Sequence, residues 1–72
     1  MRPMTDWPKV IGRTSADFGV RDGFTQAQLA FEAELDLTYV GGIERGKRNP
    51  SLLAMSRLAD ALSVSLPKLL VD

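Results

Sequence analysis

One pattern governs how this chain can fold: an apolar residue, a helix-capping residue, then a second apolar residue at the fourth helical position. It occurs three times, at Phe24-Thr25 with Leu29, at Leu35-Asp36 with Val40, and at Val64-Ser65 with Leu69. Each occurrence predicts a helix start, because the cap satisfies an orphan N–H while the two apolar side chains close over the entering chain as a hydrophobic staple. At Thr25 the signal is strongest, since Gln28 can reach back to the Thr25 N–H and complete a capping box. At Asp36 the carboxylate also faces the positive end of the helix dipole.

The remaining helices follow from periodicity. Met55, Leu58, Ala59 and Leu62 keep the i, i+3, i+4, i+7 spacing of a buried face, in a helix beginning at Ser51 after Pro50. Upstream, Pro8 suits a first turn that Thr5 or Asp6 can cap, and Val10, Ile11, Thr14 and Phe18 share a face. Gly12 and Gly19 each cost that helix about 1 kcal/mol, and Gly23 is placed to end it. Gly46 is placed to end the helix capped by Asp36. A short apolar helix carrying Pro67 in its first turn closes the chain. Leu35 to Val40 does not read as a strand, because Asp36 interrupts it and Gly41-Gly42 follows. The expectation is an all-α, compact five-helix domain over residues 8–72, preceded by a flexible tail at 1–7. Phe24, Leu29, Leu35, Val40, Ile43, Met55, Leu58 and Leu62 are its expected core.

Composition narrows the function. The 72 residues contain no cysteine and no histidine, which excludes a disulfide framework, thiolate zinc sites and the commonest general base. No nucleophile has a base at a recognisable spacing, so the chain reads as a non-enzyme without cofactor or metal. No apolar run reaches the ~20 residues of a membrane span and no signal-peptide core is present, so the expected location is cytoplasmic. Nine Lys plus Arg balance nine Asp plus Glu. Any attraction to a polyanion therefore rests on where the cations sit, and Arg45, Lys47 and Arg48 crowd one loop.

The helices begun at Thr25 and Asp36 are joined by two or three residues around Glu34 and Leu35, which forces a sharp turn of the helix-turn-helix kind over residues 25–45. Here the sequence resembles the Cro and C1 repressor-type helix-turn-helix proteins, lambda-repressor-like in fold, which include restriction-modification controller proteins. The resemblance rests on Gly23-Phe24-Thr25-Gln26, Gln28-Leu29-Ala30, Tyr39-Val40, Ile43-Glu44-Arg45-Gly46-Lys47, Asn49-Pro50-Ser51-Leu52 and Leu58-Ala59-Asp60-Ala61-Leu62. These run in register over residues 23–70, while residues 1–22 match poorly.

The resemblance implies a transcriptional regulator that binds double-stranded DNA. It would place Leu37, Thr38, Gly41 and Gly42 toward base edges, Thr38 being the best reader, and the glycines letting the helix sit close to the duplex. Gln26, Tyr39, Arg45, Lys47, Arg48 and Asn49 would face phosphates, with Tyr39 also packing against the core. So small a domain makes few base contacts, so a homodimer on a palindromic operator is expected. Leu66, Leu69, Leu70 and Val71 either form its interface or close the monomer core. Two positions depart from the family: Gly19 stands where relatives carry an arginine that pairs with the acid matching Glu44, a role open to Arg13 or Arg21. Glu34 stands where relatives often have glycine, requiring a strained backbone or a different turn. A second reading is a protein-binding module that sequesters another transcription regulator.

Overall fold

The computed structural model describes residues 6–70 and contains four α-helices: α1 (Trp7–Arg21), α2 (Gln26–Ala33), α3 (Leu37–Glu44) and α4 (Leu52–Ala61). A 3-10 turn, Leu66–Leu70, follows α4. Residues 1–5 of the expected tail, and Val71, lie outside the described residues. Asp6 caps α1, its carboxylate accepting from the Lys9 N–H at 3.2 Å, and Trp7 is the first helical residue.

The expected fifth helix is corrected to that 3-10 turn. Pro67 contributes no N–H, and the Lys68 N–H bonds three residues back to Ser65 at 3.0 Å. The other starts stand where the capping residues place them. Thr25 Oγ1 accepts from the Gln28 N–H at 3.1 Å and Gln28 Oε1 from the Thr25 N–H at 2.8 Å, so the capping box is complete. Asp36 accepts from the Thr38 N–H and Ser51 from the Ala54 N–H.

The helix ends are as regular as the starts. After α1, Gly23 adopts φ +76° and the Phe24 N–H reaches back to the Gly19 carbonyl at 2.8 Å, a Schellman closure. Leu35 bonds to Ala30 after α2, Lys47 to Gly42 after α3 and Val64 to Ala59 after α4, in the same relation. The left-handed position is Glu34 after α2, Gly46 after α3 and Ser63 after α4. Phe24, Leu35 and Val64 are also the staple residues of the element that follows, and all three pack against the core.

That core joins every element: Ile11 from α1, Leu29, Ala30 and Ala33 from α2, Val40 and Ile43 from α3, Leu58 and Ala59 from α4 with Leu62 at its C-cap, and Leu69 from the 3-10 turn. Leu29, Val40, Ile43, Leu58 and Leu62 are fully buried as expected, while Phe24, Leu35 and Met55 pack at its edge. Each fully buried large aliphatic side chain contributes about 1.5–3 kcal/mol. Leu69 is 0% exposed, so it closes the monomer core, and its expected place in a dimer interface is corrected. Leu66 is half-buried and Leu70 exposed.

α1 packs tightly on α3 at Gly12, where an added methyl group would collide with the Ile43 carbonyl oxygen. A methyl on Gly19 would meet only Leu29 Cδ2, at 3.9 Å, an ordinary contact. The two glycines therefore give opposite results. Gly12→Ala is expected to destabilise by about 2 kcal/mol through overpacking, lowering the midpoint of thermal unfolding by roughly 10 °C. Gly19→Ala is expected to raise it by about 5 °C through helix propensity; circular dichroism melts check both.

Candidate nucleic-acid interface

α2 and α3 form the two helices of the turn motif, and α3 presents its first residues outward. Leu37 is 48% exposed and Thr38 is exposed beside it, because the Asp36 cap sets the helix start and Val40 and Ile43 fix which face is buried. Tyr39 is half-buried: its hydroxyl oxygen accepts from the Ser51 N–H at 3.2 Å, tying α3 to the start of α4.

Gly41 and Gly42 do not lie open to a groove. Both are buried, and what covers them are the side chains of the expected phosphate residues. A methyl on Gly41 would sit 3.3 Å from both Arg45 Nη1 and Gln26 Oε1, and one on Gly42 would sit 2.5 Å from Arg48 Cγ. The glycine pair is thus a recess in α3 that seats Gln26 from α2 and two arginines from the following turn. The expected direct approach of these glycines to base edges is corrected accordingly. The Arg48 guanidinium extends over the Tyr39 ring at 5.9 Å from its centroid, within cation–π range. Gln26, Tyr39, Arg45 and Arg48 therefore form one contiguous polar surface.

The backbone holds this surface in place. The Lys47 and Arg48 N–H groups both donate to the Gly42 carbonyl, at 2.8 and 3.2 Å, folding the loop back onto α3. Lys47 and Asn49 are exposed further along that loop. Of the two arginines considered as partners for Glu44, Arg21 is engaged elsewhere. Its Nε donates to Asp22 at 2.8 Å, its Nη2 to the Leu62 carbonyl at 3.2 Å, and its guanidinium lies over Phe18. The hydrogen bond to Asp22 raises its pKa above the ordinary arginine value, with burial acting the other way. Arg13 lines a small cleft with Glu44, Lys9, Arg45 and Gly46. Sequence reasoning missed Lys9 in this place, and the only signal for it was an unexplained cation in the first turns of α1.

Glu34 resolves the question left by the missing glycine. It adopts φ 56° and ψ 43°, a left-handed conformation, and Arg57 from α4 donates to its carbonyl at 3.2 Å. The turn is the glycine-type turn, made without glycine.

Two short helices at a sharp turn, one with its N-terminal residues exposed and a cationic loop behind it, define a helix-turn-helix module. Residues 20–69 match the helix-turn-helix family of the Cro/C1 type, and the chain belongs to that family. It is 45% identical over 65 residues to the control protein C.SmaI of Serratia marcescens, covering 90% of this chain and 77% of that one. Over 52 residues it is 44% identical to the control protein C.BamHI of Bacillus amyloliquefaciens, covering 72% of this chain and 63% of the relative. The crystal structure of the restriction-modification controller protein C.AhdI from Aeromonas hydrophila superposes with a TM-score of 0.83 at 39% identity, over 86% of this chain and 94% of that one.

A non-glycine residue in the left-handed region costs about 1–2 kcal/mol. Glu34→Gly is therefore expected to stabilise the domain by about 1 kcal/mol, read as a rise of roughly 5 °C in the unfolding midpoint. A fall would mean that the Glu34 side chain makes a compensating contact.

Proposed function

We propose that the protein is a sequence-specific, double-stranded-DNA-binding transcription regulator that acts as a homodimer on a palindromic operator in the cytoplasm, without catalysis. The observation that carries this reading is the shared seating of Gln26, Arg45 and Arg48 on the glycine recess of α3, next to the exposed Leu37 and Thr38. In it the cations and the Gln26 amide hold phosphates and set the register of α3, while Thr38 and Leu37 meet base edges in the major groove. Lys47 and Asn49 extend the phosphate contacts along the loop. Relatives named as control proteins, and a solved structure named as a restriction-modification controller protein, support a regulatory role. Self-association through Leu66, Leu70 and Val71 would supply the second half-site that so small a surface needs.

A second reading, binding of another transcription regulator, is favoured by Phe31, an aromatic side chain 81% exposed on α2. The two readings separate experimentally. Selection from randomised duplex DNA is expected to enrich a palindrome whose half-sites lie about one helical turn apart. Arg48→Ala is expected to weaken binding to the selected duplex about tenfold, roughly 1.4 kcal/mol, and affinity is expected to fall steeply with salt. Folded protein that enriches nothing, or whose duplex binding ignores both salt and Arg48→Ala, would overturn the DNA reading in favour of a protein partner.

A further inference from the structure

The cationic surface does not stop at the loop. Gly46 turns the chain at φ +71°, and the stem of Lys9 from α1 lies directly on that turn. A methyl group on Gly46 would be 2.8 Å from Lys9 Cγ and 3.3 Å from its Cα. Lys9, Arg13 and Arg45 line the adjoining cleft of about 250 Å³, against the single acid Glu44. A lysine whose methylene stem rests on a glycine turn keeps its ammonium at the surface, and Lys9 is exposed.

We propose that Lys9 contacts a DNA phosphate beyond those held by Arg45, Lys47 and Arg48, so that the footprint of each protomer continues from the loop after α3 onto the first turns of α1. This rests on the DNA-binding reading above. Duplex DNA presents about one charge per 1.7 Å of axis, so cations placed side by side along a ridge meet successive phosphates of the same backbone. The contact carries no base information, and therefore adds affinity equally on every sequence. Gly46 serves it twice, by ending α3 and by leaving the recess on which the Lys9 stem lies.

The test is the salt dependence of binding of the full chain to a mixed-sequence 30-base-pair duplex. Wild type is compared with Lys9→Gln, Lys9→Arg, Arg48→Gln and Lys68→Gln; the last removes the same charge from the 3-10 turn. Each phosphate contact contributes about 0.9 to the slope of log K against log salt. Lys9→Gln is expected to lower the slope by about 0.9 per protomer, Lys9→Arg to retain it, and Lys68→Gln to leave it unchanged. The proposal is overturned if Lys9→Gln and Lys68→Gln have the wild-type slope while Arg48→Gln reduces it, or if all of the neutral variants reduce it alike. Failure of the DNA reading itself gives a different result: wild type shows no salt-dependent binding and Arg48→Gln makes no difference.

Discussion

Three apolar side chains, Phe24, Leu35 and Val64, set the geometry on which the rest of this domain depends. Each closes the helix before it, its N–H bonding back five residues in a Schellman turn, and each lies at the entry to the element after it. One side chain therefore fixes both arms of a corner. Because the same residue packs into the core, the angle at the corner and the depth of the core are set together. The sharp α2–α3 turn that defines the module is the Leu35 instance of this device, reinforced from outside by Arg57 on the Glu34 carbonyl.

Small residues then decide how near the helices come and what can rest on them. Gly12 lets α1 touch the backbone of α3 at Ile43, and Gly41 and Gly42 open a recess in α3 itself. With two glycines, α3 sacrifices about 2 kcal/mol of helix propensity. An eight-residue helix with that handicap would not hold alone; burial of Val40 and Ile43 at 0% exposure keeps it formed.

What was legible in the sequence was local. Thr25 with Gln28, Asp36, Gly23 and Gly46 act within a few residues of themselves, so their spacing alone predicts where three helices start or end. The final element escaped because a cap and a staple at Val64-Ser65 do not say whether the turns that follow close as α or as 3-10, and Pro67 removes an N–H from the first of them. Gly41 and Gly42 were read as a path to the bases because their burial depends on side chains from α2 and from the loop after α3, which no periodicity in α3 reports. Lys9 on Gly46 and Arg57 on Glu34 are contacts across long stretches of chain. They were invisible for the same reason.

The seating of Arg48 between Gly42 and the Tyr39 ring has a consequence for timing. A free arginine side chain holds about 2 kcal/mol of rotamer entropy, and a ligand that must freeze it loses that much of its binding energy. Here the stem rests on the glycine recess and the guanidinium leans on an aromatic face. Ordering has been moved from the moment of encounter to the moment of folding, so the protein meets its target with this part of its surface already shaped.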